Sequence, residues 1–231
     1  MSTTTRPHAT DHNLYPDDDG NPMAENTLQF KWIVVVKEGL ETIFRHDPNV
    51  FVAGDLLWYA QEGDPKIRTA PDAMVVFGRP KGYRGSYMQW REEGIPPHVV
   101  FEILSPGNRF GEMLRKFHFY DDHGVEEYYL YDPDIGTLEG WLRDGDHLCE
   151  VAEMQGHVSP LLGIRFEPGV GSDNLKIHAP DGSLFKTFQE LHDEADAANR
   201  RADAETQRAD AANQRAERLA ARLRELGEAL D

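Results

Sequence analysis

Apolar and polar positions follow two rhythms along this chain. Between Glu25 and about Phe44, the residues Leu28, Trp32, Val35, Val36, Leu40 and Ile43 recur every three or four positions. That is the spacing of one helical face, and Asp47-Pro48-Asn49 supplies a stop. Val50 to Tyr59 predicts a strand with Gly54 as a bulge. Further strands are predicted at Ala73 to Phe77 and at Val99 to Leu104. Between them lies GRPKGYRGSYMQWREEGIPP, a long excursion from Gly78 to Pro97. The turn Ser105-Pro106-Gly107-Asn108 then leads into a helix from Arg109 to about His123. Ser105 or Asn108 is a suitable cap, and Gly124 closes the helix. Tyr128 to Tyr131 predicts a strand, and Leu138 to Arg143 with His147 to Val151 a hairpin around Asp144-Gly145-Asp146. Short segments follow as far as Phe185. This order predicts an α+β domain with a mixed β-sheet flanked by helices.

Composition changes at both ends. Residues 1–24 read as a flexible segment, in which Asp17-Asp18-Asp19-Gly20 lacks the spacing of a calcium loop and predicts a turn. From about Leu191, alanine, arginine and acidic residues dominate, and RADAETQ, RADAANQ and RAERLAA follow one another every seven residues. One heptad column holds Ala195, Ala202, Ala209, Ala216, Leu223 and Leu230; the other holds Ala198, Glu205, Ala212, Leu219 and Leu226. The expected organisation is therefore a flexible 1–24, a domain over 25–190, and a C-terminal helical tail over 191–231. Alanine buries little area, so an isolated solvated helix stands as the alternative to a coiled coil.

The bulk numbers exclude several classes. No apolar run approaches the ~18 residues that span a bilayer, so no membrane role is expected. The N-terminus has no signal-peptide core, and the single Cys149 excludes an internal disulfide framework, so the chain is expected to be cytoplasmic. The formal net charge of −17 weighs against tight nucleic-acid binding unless a local basic patch or bound metal ions assist.

One residue in the second buried strand does not belong there. Glu102 lies in the run HVVFEILSPG, and burying an ionised carboxylate costs several kcal/mol unless a cation or donors meet it. Either a structural salt bridge or a metal ion answers this. Asp72, after Pro71, opens the neighbouring apolar strand. A hard ion such as Mg²⁺ takes one or two carboxylates together with water and phosphate. On the following helix, Lys116 either reaches the carboxylates or pairs with Glu112 at the surface. The excursion carries Arg79, Lys81, Arg84 and Arg91 among Tyr83, Tyr87 and Trp90. That mixture suits phosphate contact and base stacking, or a loop folded onto its own domain. Glu127 and Asp132 read as solvated or capping groups. The scattered histidines show no zinc-ligand spacing.

The series PDAMVVFG, VVFEILSPGNR and EMLRKFHFYDDHGVEEYYLYDP resembles the Uma-two family of bacterial proteins, within the PD-(D/E)xK restriction-endonuclease-like superfamily. The resemblance covers most of Met23 to Phe188. It implies a restriction-endonuclease-like fold and a Mg²⁺-dependent DNA endonuclease, with Mn²⁺ as a substitute ion. By the same resemblance, Asp72, Glu102 and the backbone carbonyl of Ile103 are metal ligands, and Glu25 is an additional acid. Where the motif expects lysine, this chain has Leu104, so the resemblance assigns the catalytic lysine to Lys116. DNA contacts are expected from Arg79, Lys81, Arg84, Tyr87 and Trp90, and a homodimer is expected, with the tail helix as an association element. Two other readings are a catalytically degenerate DNA-binding module, and an acidic interaction protein assembling through the heptad tail.

Overall fold

The structure, a computed structural model, describes residues 14–17, 24, 26–107 and 110–228. Most of the N-terminal segment, including Asp18-Asp19-Gly20, lies outside the described residues, as do Glu25, Asn108 and Leu230. By internal contacts the chain divides into two units, Met1–Phe185 and Lys186–Asp231.

The first unit opens with α1 (Thr27–Ile43), whose N-cap Asn26 accepts a hydrogen bond from the backbone N–H of Gln29 at 2.8 Å. Next come β1 (Val50–Ala53), β2 (Trp58–Tyr59), β3 (Arg68–Thr69), β4 (Ala73–Phe77), β5 (Tyr87–Met88) and β6 (Val99–Ile103). After these follow α2 (Phe110–Asp122), β7 (Glu127–Asp132), β8 (Thr137–Asp144), β9 (His147–Glu150), β10 (Arg165–Glu167) and β11 (Lys176–His178). Six strands form one sheet in the order β1-β4-β6-β7-β8-β9. Its single parallel pair, β6 with β7, is joined through α2, because parallel neighbours need a crossover.

Alternation along the central strands divides their side chains between two cores. Val50, Val52, Ala73, Val75, Val99, Phe101 and Ile103 pack with Trp32, Ile33, Val36 and Leu40 of α1. On the opposite face Phe51, Ala53, Met74, Val76, Val100 and Tyr128 pack with Tyr120 and Phe117 of α2 and with Trp58 and Tyr87. Burying each such side chain contributes about 1.5–3 kcal/mol. Since both faces are covered, β4 and β6 are nearly all apolar, and a polar residue on either face meets a helix rather than water.

The predicted strand Val50 to Tyr59 is in fact two. The chain turns at Asp55, which adopts φ +47° while its N–H donates to the carbonyl of Pro71 at 3.0 Å. β2 then leaves for a small separate sheet ordered β3-β2-β5. That sheet also absorbs part of the 78–97 excursion. At the hairpin, Gly145 takes φ +61°, which a two-residue turn between β8 and β9 requires.

Glu127 is a correction to the sequence reading. It is not solvated but buried, and its carboxylate accepts from Tyr129 Oη at 2.9 Å, from the Leu161 N–H at 2.7 Å, and from Ser159 Oγ. The residues that bury it lie more than thirty positions further on, out of reach of local pattern. Glu127→Ala should leave these donors unmet and cost about 3 kcal/mol. Thermal melting should fall by roughly 10 °C; an unchanged melt would show that this network adds nothing to stability.

The second unit consists of α3 (Phe188–Glu228), a single helix of 41 residues. A capping box starts it: the Glu190 N–H donates to Thr187 Oγ1 at 3.2 Å, and the Thr187 N–H donates to Glu190 Oε2 at 2.8 Å. Leu219 and Leu223 are 58% and 70% exposed. Among the described residues, no helix is long and apolar enough to cross a membrane.

Candidate active site

The register of β4 on β6 brings the two acids together. Ala73 pairs with Phe101 and Met74 with Val100 in an antiparallel ladder, so one step outward sets Asp72 opposite Glu102. Both follow the parity of Met74 and Val100, whose side chains pack on the α2 side. Asp72 and Glu102 are only 7% and 2% exposed.

Helix α2 supplies what Glu102 requires. Lys116 Nζ lies 2.7 Å from Glu102 Oε2 and 3.1 Å from the carbonyl oxygen of Ala70. Tyr120, one turn along the same helix face, donates its hydroxyl to Glu102 Oε1. The carboxylate is therefore held from both oxygens, and the alternative of an outward Lys116–Glu112 pair is not what the structure has. Leu104 lines a pocket with apolar residues of α2 and β7.

Asp72 is held differently. Its Oδ2 accepts from the backbone N–H of Ile103 at 2.6 Å. Burial first, and then the neighbouring charge of Glu102, push its pKa well above the usual carboxylate range, against the opposing pull of Lys116. Burial lowers the pKa of Lys116, but Glu102 and Asp72 outweigh that and raise it. Two carboxylates thus face one ammonium in a dry setting, and Asp72 takes the strain as a reluctance to ionise.

Two residues at the site escaped the sequence reading. Gln29, on α1, donates from Nε2 to the carbonyl of Ile103 at 2.9 Å. It is buried, and a polar residue in step with an otherwise apolar helical face was the available signal. Asp55, at the turn after β1, adds its negative field to Asp72; nothing local in the sequence marks it.

The two carboxylates and the Ile103 carbonyl are hard oxygen donors of the kind Mg²⁺ prefers. Burial first, and then the charge of Glu102, disfavour an ionised Asp72, and a divalent cation would offset both. The donor set therefore fits such an ion, although the described residues contain no cluster of three or more His, Cys, Asp or Glu side chains arranged as a metal site.

The residues expected to contact DNA have partners within the fold. Arg84 is bound to Glu92 at 2.7 Å, Arg79 to Glu93 at 3.0 Å and Lys81 to Glu41 at 3.0 Å. Tyr87 is a correction: its ring is fully buried and its hydroxyl donates to the Ile95 carbonyl, so it offers no face to a base. Trp90 packs with its ring centroid 5.0 Å from that of Tyr15. Much of the excursion's cationic and aromatic character serves to fold it.

Residues 32–171 match the family described as "Putative restriction endonuclease", Uma2. The chain belongs to the Uma2 family. The match includes Asp72, Glu102 and Lys116, and it agrees with the mixed sheet flanked by helices that this Uma2 chain shows. No curated protein matches it. Among solved structures, one similar chain is described as "a putative nuclease belonging to DUF820" from Anabaena variabilis. It is 17% identical, with a TM-score of 0.45 over 62% of this chain and 78% of that one.

Proposed function

We propose that this Uma2 chain is a Mg²⁺-dependent DNA endonuclease, with Asp72, Glu102 and Lys116 as its catalytic residues. The observation that carries the proposal is the convergence of two buried carboxylates and one ammonium on a single sheet face, with Lys116 Nζ 2.7 Å from Glu102. Family membership makes a phosphodiester the natural substrate.

Asp72, Glu102 and the Ile103 carbonyl would hold the ion, and Gln29 holds that carbonyl by donating to it. When bound, the ion would supply Lewis acidity, polarising a phosphoryl oxygen and lowering the pKa of a coordinated water. Lys116 and Tyr120 fix the Glu102 carboxylate, so little reorganisation is needed when substrate arrives. The Lys116 ammonium places a fixed positive charge where a phosphate gains negative charge during displacement, and in a water-poor site that charge acts strongly. Leu104 can offer neither a proton nor a charge, which leaves Lys116 as the cation of the site.

Incubation of supercoiled plasmid with the full chain tests this. Nicking is expected with Mg²⁺ and with Mn²⁺, and none with EDTA. Absence of nicking with either metal would sink the enzyme reading and favour the degenerate DNA-binding module.

We also propose that α3 associates with a second copy of itself. Leu219 and Leu223 are exposed and occupy the two heptad columns, one turn apart. Light scattering should give a dimer for the full chain and a monomer once residues 186–231 are removed. The same mass in both would withdraw α3 as an association element.

A further inference from the structure

Along α2 only Tyr120 is buried, while Phe110 and Leu114 near the other end are 83% and 44% exposed. A stripe this shallow fixes a helix weakly along its axis, since most helical stability comes from packing of the apolar face. Yet Lys116 and Tyr120 both reach Glu102 from this helix. They stand four residues apart, about 6 Å along the axis. Any slide or roll of α2 therefore takes both groups away from the carboxylate together.

A restraint is built at the last turn. Helix ends leave their final carbonyls without helical donors. Arg143, on β8, gives its Nη2 to the Asp121 carbonyl at 2.8 Å and to the Tyr120 carbonyl at 3.4 Å. Its Nε donates to the Val125 carbonyl at 2.7 Å, and its Nη1 to the Asp146 carbonyl at 2.7 Å. One guanidinium thereby joins the end of α2, the segment leading into β7 and the β8–β9 turn. Asp121 answers from the helix: its carboxylate accepts from the Leu148 N–H at 2.7 Å and lies 3.0 Å from His147 Nδ1. Tyr120, whose carbonyl Arg143 meets, is the residue whose hydroxyl holds Glu102. A charge alone would complement the helix dipole; spanning four carbonyls takes the rigid, planar fork of an arginine.

We infer that Arg143 is a positioning residue of the proposed active site: it fixes the last turn of α2 and so sets Lys116 and Tyr120 on Glu102. Its side-chain hydrogen bonds go to carbonyls outside the Asp72–Glu102 pair, so it acts through the helix. The inference rests on the nuclease reading for its consequence in cutting, and on the geometry of α2 alone for the placement of Lys116. Catalytic groups tolerate little displacement, and a shift of about 1 Å can cost about 100-fold in rate.

Reductive methylation of Lys116 in the full chain, read by mass spectrometry, reports the helix position without any cutting. The Lys116 side chain is 20% exposed and paired with Glu102, so it should react slowly in the wild type. Arg143→Lys keeps a cation at the helix end but loses the fork. Lys116 should then react roughly tenfold faster, at a temperature where the variant is still folded. Arg143→Gln takes its place should that variant fail to fold. Glu127→Ala is the control: its network lies on the opposite sheet face with Tyr129, so it should lower melting and leave Lys116 at its wild-type rate. In plasmid nicking with Mg²⁺, Arg143→Lys should lower kcat about 100-fold with KM nearly unchanged. In a Lys116→Ala background it should add nothing further. A wild-type methylation rate in the Arg143 variant, equal acceleration in Glu127→Ala, or full additivity with Lys116→Ala would overturn the inference. No nicking by the wild type would instead remove the nuclease reading, and the methylation comparison would still decide the role of Arg143.

Discussion

Lys116→Ala should lower plasmid nicking by at least about 100-fold and should also cost the fold about 3–5 kcal/mol. Both effects come from one ammonium. Lys116 Nζ lies 2.7 Å from Glu102, and among the described residues the other side-chain donor to that carboxylate is the Tyr120 hydroxyl. Two buried acids would then face each other uncompensated, and thermal melting should drop by roughly 10 °C or more. Added Mg²⁺ should return part of that stability in the variant, because a cation can stand where the ammonium stood, yet nicking should not return with it. Lys116→Arg should recover stability better than activity, since a planar fork does not replace a compact point charge. Wild-type cutting by the alanine variant would take Lys116 out of the mechanism.

Asp72→Asn should abolish cutting and yet make the protein more stable at neutral pH. The aspartate's pKa stands well above its ordinary value of 3.8, through burial and then through Glu102. A carboxyl whose folded pKa is raised contributes most below its unfolded pKa, and that contribution is lost as pH rises through the folded value. The advantage of the Asp72→Asn variant should therefore be absent in acid near pH 3.8 and below, and should grow towards neutrality. Asparagine can still accept the Ile103 N–H that Asp72 now accepts, so the strand end stays in place. Saturating Mg²⁺ at ~100 times its Kd should raise wild-type stability by about 2.7 kcal/mol and leave Asp72→Asn nearly unmoved. A variant that melts below wild type at pH 7, or that responds to Mg²⁺ equally, would show that Asp72 is not the strained acid of a metal site.

Much of the architecture was legible because local periodicity reports burial. The α1 stripe, the apolar runs of β4 and β6, the Gly124 stop after α2 and the hairpin at Gly145 all follow from spacing and turn chemistry within a dozen residues. Glu102 betrayed itself in the same way, as the one charge in an apolar strand, and the long helix was evident from its composition. Other features were decided only by tertiary structure, because their partners are distant in sequence. The pairing of Asp72 with Glu102 depends on a strand register formed across about thirty residues. The inward aim of Lys116 depends on where α2 lands on the sheet: along the helix alone, Glu112 was an equally good partner. Glu127 reads as a surface acid until Ser159 and Leu161 fold over it. Asp55 and Gln29 reach the site from separate elements, and the basic loop proves to be largely paired with Glu41, Glu92 and Glu93. Sequence pattern records which positions are buried, whereas a charge's partner is chosen by the geometry that long-range packing imposes.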